Sequence, residues 1–137
     1  MSLFNVFEIS GTALSAQSVR LNTIASNLAN TDVIGSSPET AYRARYPVFS
    51  AVFDQVTGEG VAGGVRVDDI VESTVNPRKE YAPNHPSADD EGFVYLSNVN
   101  PVEEMANMIS ASRSYQNSVK VMDTTKQLIM RTLSLGN

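Results

Sequence analysis

The two ends of this chain have the sequence pattern of helices that are covered on more than one side. Between residues 9 and 31 the only charged residue is Arg20. Leucines recur there at heptad spacing, at Leu14, Leu21 and Leu28. An ordinary surface helix carries charged residues opposite its apolar stripe, whereas this one carries short uncharged polar residues. The pattern therefore predicts a helix from about Asn5 to Asn30 that serves in assembly and not in catalysis.

The C-terminal segment has a comparable pattern. Asn100 is a good helix cap, Pro101 fits the first helical position, and the acids that follow suit the positive end of the helix dipole. Apolar and aromatic residues then recur seven apart, at Met108, Tyr115, Met122 and Ile129. A helix of about 32 residues spans roughly 48 Å, which is too long to pack on one small core. It must pair with the first helix, with other subunits, or with both.

The middle of the chain has the pattern of a small β region. Alternating residues predict strands at 42–48 and 64–68, and an apolar run predicts a third at 93–96. Residues 58–64 form a glycine-rich turn in this interpretation, residues 31–40 a loop, and the proline-rich residues 77–86 an irregular extended segment. The predicted fold is α+β, with two long terminal helices packing as a coiled-coil-like pair around a small β region. Its predicted parts are residues 1–31, 32–100 and 101–137.

Charge and composition exclude several classes of function. The formal net charge is −5, and residues 32–100 hold eleven acids against five bases. Phosphate backbones require clustered Lys and Arg, so we expect no nucleic-acid partner. The chain has no Cys, which excludes disulfides and Cys-ligated zinc. No cleavable signal peptide and no membrane-spanning apolar run is apparent. Any export must therefore use a route that does not cleave a recognisable signal peptide.

Two segments invite a chemical interpretation. His85, the only histidine, lies close to the acids at residues 89–91. A lone imidazole without HExxH or EF-hand spacing makes a poor metal site, and we expect His85 to hold its loop by hydrogen bonds. Residues 58–64 lack the Lys-Ser/Thr ending of a phosphate loop. We therefore predict no enzyme activity, cofactor, metal or small-molecule substrate, with a small hydrolase built on His85 and Asp89 as a rival.

Three motifs resemble those of a known family. Asn27-Leu28-Ala29-Asn30 matches the Asn-x-Ala-Asn signature of bacterial flagellar rod and hook proteins. Residues 81–94 contain Tyr-x-Pro-x-His-Pro-x-Ala-Asp-x-x-Gly-Phe-Val, and residues 98–116 contain Asn-Val-Asn-Pro-Val-Glu-Glu-Met and Met-Ile-Ser-Ala-Ser-Arg-Ser-Tyr-Gln. Together these runs resemble the C-type proximal rod protein of the flagellar basal body, over nearly the whole chain.

The resemblance implies a structural subunit of the periplasmic rod, exported without a cleaved signal by the flagellar type III apparatus. It implies polymerisation through the terminal helices, which transmits torque from the motor to the hook. The implied partners are copies of the chain, other rod proteins, the membrane-ring and export-gate base, and the export apparatus. The alternative is a helical adaptor or type III secretion chaperone, which would use the same apolar rows of its helices to bind client proteins.

The heptad stripes and motifs define a predicted assembly interface. Its residues in the first helix are Phe7, Gly11, Leu14, Leu21, Asn22, Asn27, Leu28 and Asn30. Those in the last helix are Met105, Met108, Ser112, Arg113, Tyr115, Gln116, Met122 and Ile129. On sequence grounds Leu21→Lys should leave the β region folded and stop assembly.

Overall fold

A computed structural model describes residues 3–53 and 62–136 of the chain. Two long helices flank a small antiparallel β region, which confirms the predicted α+β class. The elements in chain order are α1 (Leu3–Ala29), β1 (Ile34–Gly35), β2 (Arg45–Phe53), β3 (Ala62–Glu72), β4 (Arg78–Tyr81), β5 (Phe93–Leu96) and α2 (Pro101–Leu135). Among the described residues, neither helix is long and apolar enough to cross a membrane.

The chain divides into two compact units, and each contains parts of both helices. Unit 1 consists of Met1–Leu21, Pro47–Asp69 and Ser110–Asn137. Unit 2 consists of Asn22–Tyr46 and Ile70–Ile109. The two helices contact each other within unit 1, where a Cβ added to Gly11 would lie 3.6 Å from the Met122 Cε atom. That distance is ordinary van der Waals contact, so α1 and α2 pack closely at Gly11.

A three-stranded antiparallel sheet lies in unit 2, in the order β1-β5-β4. The central strand β5 begins and ends where the apolar run predicted. Ile34 pairs with Leu96 on one side and Arg78 pairs with Leu96 on the other. The sequence pattern predicted neither outer strand, because β1 has only two residues and β4 (Arg-Lys-Glu-Tyr) has no apolar alternation. Their extended conformation comes from hydrogen bonding to β5 and not from local pattern.

The strands β2 and β3 form a separate two-stranded sheet. The prediction of a strand at 42–48 was wrong in its bounds, since β2 begins at Arg45 and continues to Phe53. Residues 42–44 are held instead by side chains, for example by Asn98 Oδ1, which accepts the Ala44 N–H at 2.7 Å. Strand β3 extends beyond the predicted 64–68 at both ends. Most of the glycine-rich turn predicted at 58–64 lies outside the described residues.

Gly64 is required where β3 meets α1 in unit 1. Its φ of +148° is one that side chains rarely adopt, and an added Cβ would lie 2.5 Å from the Thr12 Oγ1 atom. The same hydroxyl accepts the Val65 N–H at 3.2 Å and donates to the Ile9 carbonyl at 2.8 Å. Thr12 therefore joins the strand to the helix, and only glycine at position 64 permits the approach.

Helix α2 begins as predicted. Asn100 Oδ1 accepts the N–H groups of Val102 at 3.1 Å and Glu103 at 3.4 Å, which satisfies two of the unpaired donors of the first turn. The helix continues for 35 residues. Helix α1 begins at Leu3, two residues before the start predicted near Asn5.

The described interior is unusually polar. Its buried apolar residues are small or medium in size: Ala16, Ile24, Ala41, Ala44, Val94, Val99 and Ala111. Its buried polar residues are Ser10, Thr23, Asn27, Thr31, Ser97, Glu104 and Thr125. The largest side chains that are fully buried are those of Glu104, Asn27 and Ser97, all in unit 2. Such groups require hydrogen-bond partners, and those partners define the centre of unit 2.

Candidate functional site

Asn27 lies at the centre of a hydrogen-bond network in unit 2. Its Nδ2 donates to the Arg45 carbonyl at 2.9 Å and to Glu104 Oε2 at 3.0 Å. Its Oδ1 accepts the Arg45 N–H at 2.9 Å and the Tyr42 hydroxyl at 3.0 Å. We call Asn27, Tyr42, Arg45 and Glu104 the Asn27 centre. It ties the end of α1 to the following loop, to the start of β2 and to the first turn of α2.

The chemistry of the Asn27 centre requires a carboxamide at position 27. The main chain of Arg45 presents both an N–H and a C=O to this side chain, and Asn offers a donor and an acceptor on one short group. All four bonds expected of a carboxamide are made, and the side chain is fully buried. Among amino acids of this size only Asn meets that pattern, so the Asn of the helix signature serves the interior of the subunit.

Glu104 supplies the negative charge of the centre. It is 1% exposed and lies in the first turn of α2, where the helix dipole favours a carboxylate. Its charge also acts on a neighbouring phenol. Burial raises the pKa of Tyr46, and the carboxylates of Glu104 and Glu103 raise it further.

Asn98 holds a second set of contacts in unit 2. Its Oδ1 accepts the Ala44 N–H, and its Nδ2 donates to the Val75 carbonyl at 2.7 Å. The Ala44 carbonyl in turn accepts the Ser73 N–H at 2.7 Å. Loop segments that are distant in sequence are thus joined through two asparagines, Asn27 and Asn98, rather than through a large apolar core.

The loop at residues 82–92, which joins β4 to β5, is closed around Asp89. The Oδ1 atom of Asp89 accepts the N–H groups of Glu91 at 3.0 Å and Phe93 at 2.8 Å, and Oδ2 accepts the Tyr95 hydroxyl at 3.1 Å. The Phe93 N–H is the largest of the contributions that hold the pKa of Asp89 below its ordinary value of 3.8. Gly92, at φ +82°, completes the turn.

We expect Asp89→Asn to lower the thermal unfolding midpoint, because an amide nitrogen replaces one of the two accepting oxygens. The folded pKa of Asp89 lies below the unfolded value, so the ionised carboxylate stabilises the fold above about pH 4 and this contribution is lost as pH falls further. Thermal unfolding followed by circular dichroism between pH 7 and pH 3 measures both effects. Asp90→Asn, at the exposed neighbouring position, is the matched control and should change little. Equal midpoints for the two variants would contradict the role of Asp89.

His85 lies in the same loop and holds it as predicted. Its ring Nδ1 accepts the Ser87 N–H at 3.1 Å. Its main-chain N–H donates to the Ala82 carbonyl, and its main-chain carbonyl accepts the Ala88 N–H. The proposed hydrolase pair of His85 and Asp89 gains no support, since both side chains are engaged by the backbone of their own loop. Within residues 3–53 and 62–136, no three His, Asp or Glu side chains are grouped as a metal site.

The second functional feature is the surface of α2 in unit 1. Ala111 and Thr125 are buried and Ser118 is half-buried, so positions seven apart form the inward face. At 100° per residue, Val121, Leu128 and Leu135 lie to one side of that face. Tyr115, Val119 and Leu133 lie to its other side, and all six are exposed. We call these two groups the first flank and the second flank. Apolar groups therefore reach solvent on both sides of the buried face.

The predicted interface residues fall into three classes of exposure. Six are exposed: Phe7, Asn22, Met105, Arg113, Tyr115 and Gln116. Nine are half-buried: Gly11, Leu14, Leu21, Leu28, Asn30, Met108, Ser112, Met122 and Ile129. Asn27 alone is fully buried within its own subunit. The predicted interface does not include the first flank, although Val121, Leu128 and Leu135 are themselves seven apart and could have been found by that spacing.

Comparison with known proteins identifies the class. Residues 7–35, which include the Asn27 signature, match the family model described as flagella basal body rod protein. Residues 90–135 match the model described as flagellar basal body rod FlgEFG protein C-terminal. The two matches cover most of both helices, so the chain has the terminal segments of flagellar rod proteins.

Curated relatives specify the member of the class. The chain is 45% identical to flagellar basal-body rod protein FlgC of Escherichia coli O157:H7 and 48% identical to that of Yersinia enterocolitica, each over 136 residues and 99% of both chains. It is 42% identical over 138 residues, again 99% of both chains, to FlgC of Buchnera aphidicola subsp. Acyrthosiphon pisum. The chain belongs to the FlgC family of flagellar basal-body rod proteins. This confirms the resemblance to the C-type rod protein, and the adaptor or chaperone alternative is not supported.

Proposed function

We propose that this rod protein polymerises through its terminal helices, and that contacts on both flanks of α2 carry the assembly. An exposed apolar group is ordinary when it stands singly, but the six residues of the two flanks are grouped in two rows. Leu128 is 46% exposed and Leu133 is 65% exposed. A partner that covers such side chains lowers the free energy of the assembly, because apolar surface is removed from water. The two exposed rows on one helix are the observation that carries the proposal.

Two flanks favour a polymer over a closed dimer. A twofold dimer uses one self-complementary patch, whereas head-to-tail contacts use two different patches and build rings or open helical filaments. The first flank is entirely aliphatic and the second contains Tyr115, so the two are not copies of one surface. This asymmetry supports an axial structure with a neighbour on each side of α2.

Helix α1 offers a further surface for a neighbour. Its exposed positions follow a three-four spacing and carry only small uncharged residues from Ser15 onwards: Ser15, Ser18, Asn22, Ala25 and Ala29. Small side chains permit close approach of a second helix, since interaxial distance depends on the residues at the contact. Near the start of α1, Phe4 and Phe7 are exposed. The predicted contacts at Phe7 and Asn22 stay part of the proposed interface, as do Met105, Arg113, Tyr115 and Gln116 on α2.

In this proposal the subunit lies in the periplasmic rod, is exported without a cleaved signal, and has a structural role without catalysis. Its neighbours are copies of itself and other rod proteins, with the membrane-ring base at one end. Torque passes through the interlocked helices. The half-buried predicted residues, such as Leu21 and Met108, contribute by holding the helices in the shape that the neighbours recognise.

Electron microscopy of basal bodies from a strain that lacks this gene tests the proposal. We expect membrane rings without a rod, and complete rods and hooks after complementation with the wild-type gene. Intact rods and hooks in the deletion strain would overturn it. The effect of Leu21→Lys stays a prediction. Leu21 is half-buried, so a lysine there replaces internal contacts as well as surface, whereas an exposed flank residue separates folding from assembly.

A further inference from the structure

Three exposed cations lie in one row on α2, on the side away from its buried face. Arg113, Lys120 and Arg131 are separated by seven and eleven residues, and both intervals are close to whole numbers of helical turns. The row is therefore nearly straight and about 27 Å long at 1.5 Å per residue. Within residues 3–53 and 62–136, none of the three forms an ion pair. We call these three residues the cation row.

Formal charge is divided unequally along the chain. Unit 2 carries nine acids against four bases, a net charge of −5. The part of α2 in unit 1, within residues 110–137, carries four bases against one acid, a net charge of +3. Surfaces of opposite charge attract each other and surfaces of like charge repel, which determines the orientation in which two proteins meet. The cation row of one copy is thus complementary in charge to unit 2 of another.

Most acids of unit 2 already have a role within the subunit, as loop or helix contacts or as members of ion pairs. These are Glu39, Glu72, Asp89, Glu91, Glu103 and Glu104. In the described part of unit 2, three exposed carboxylates remain without an ion pair, and we call them the free acids: Asp32, Glu80 and Asp90. Their number equals that of the cation row.

A protein surface fits the cation row better than a polyanion does. A nucleic acid or an anionic lipid surface would be repelled by unit 2, because the net charge of −5 resides there while unit 1 is neutral. The partner therefore needs an excess of acid that is confined to one part of a protein. Unit 2 of a second copy has that property.

We propose that the cation row of one subunit contacts the free acids of a second copy, so that charge fixes the direction in which subunits join. The inference rests on the proposed function, in which two different patches of the chain meet in a polymer. The apolar flanks of α2 stabilise the contact, and the charges select head-to-tail packing. In like-to-like packing, equal charges would face each other.

Reversal of the cation row tests one side of the contact. The row variant Arg113→Glu/Lys120→Glu/Arg131→Glu places acids against acids, so basal bodies examined by electron microscopy should lack rods. The neutral variant Arg113→Gln/Lys120→Gln/Arg131→Gln removes the attraction without adding repulsion, and we expect fewer rods than in wild type. Because all three positions are exposed, the thermal unfolding midpoints of both purified chains should match that of wild type.

A charge swap identifies the partner. The acid variant Asp32→Lys/Glu80→Lys/Asp90→Lys places cations against the cation row, and it should also lack rods. The swap variant carries the changes of both the row variant and the acid variant, so its net charge equals that of wild type. If the two surfaces meet between copies of this chain, the swap variant should restore rods and swimming.

The outcomes separate this proposal from the proposed function. Wild-type numbers of rods in the row, neutral or acid variant would overturn the charge contact. A swap variant that folds but makes no rods would also overturn it, because the cation row would then meet a different protein. The first-flank variant Val121→Lys/Leu128→Lys tests the proposed function itself. If it abolishes rods while the row variant assembles, only the charge contact fails; if it assembles normally, the proposed function fails.

Discussion

Replacing Asn27 by aspartate, which exchanges one NH₂ group for an oxygen, is expected to destabilise unit 2 by about 3–5 kcal/mol at neutral pH. The new oxygen would face the Arg45 carbonyl at 2.9 Å and Glu104 Oε2 at 3.0 Å, where the amide nitrogen now donates to both. Two buried carboxylates would then share one site without a proton between them. That loss is a large fraction of the stability of an ordinary domain.

The pH dependence of Asn27→Asp identifies the cause. Paired carboxylates bind a proton more tightly in the folded state than in the unfolded chain, so the destabilisation is full at neutral pH and diminishes as pH falls. Urea unfolding at pH 7 and pH 5 measures both values. Asn22→Asp makes the same chemical change at an exposed position of α1 and should stay within about 0.5 kcal/mol of wild type.

A second variant tests the partner contact. Glu104→Gln in the Asn27→Asp background replaces one carboxylate by an amide that can donate to the carboxylate introduced at position 27, and it should restore part of the lost stability. If Asn27→Asp and Asn22→Asp unfold at the same urea concentration, the Asn27 centre does not hold unit 2 together.

A pair of lysines on the first flank of α2 is expected to abolish rod assembly and leave the subunit folded. Val121 and Leu128 are each 46% exposed, so the double variant Val121→Lys/Leu128→Lys removes little internal packing. In an assembled rod the two ammonium groups would lie in an apolar contact, where an unpaired charge is strongly unfavourable. Basal bodies examined by electron microscopy should lack rods, and swimming in soft agar should cease.

The matched control lies one residue away. Gln127→Lys adds the same kind of charge on the polar side of α2, and it should assemble normally. Thermal unfolding of the purified subunits shows whether the flank variant folds like wild type. Normal rods in the flank variant would exclude the first flank as a contact surface, and loss of rods in Gln127→Lys would show that added charge anywhere on α2 is sufficient.

Local sequence patterns predicted those elements whose causes are local. The start of α2 follows from Asn100 and Pro101, whose effects act within one helical turn. Strand β5 was located because its four residues form an apolar run, and in the sheet Val94 is buried and the other three are half-buried. The two-residue β1 and the polar β4 were missed, since their only reason to be extended is pairing with β5, and no local pattern records a partner 12 to 62 residues away.

The proposed interface shows the same division at the level of single residues. Heptad spacing selected residues on both helices and included Tyr115, which lies on the second flank. Spacing alone could not show which of several seven-residue rows is turned inward. It therefore selected half-buried Leu21 and Met108 together with exposed residues, and it left out Val121 and Leu128.

The sequence by itself determined the α+β class, the resemblance to the family, and the nearly uncharged first helix, because composition, heptad spacing and short motifs are properties of the chain alone. Only the tertiary structure decided the role of Asn27. Its signature suggested an assembly contact, and its four hydrogen bonds are internal. Those bonds join residues up to 77 positions apart, so their existence depends on how the chain folds back on itself and is not encoded in any single segment.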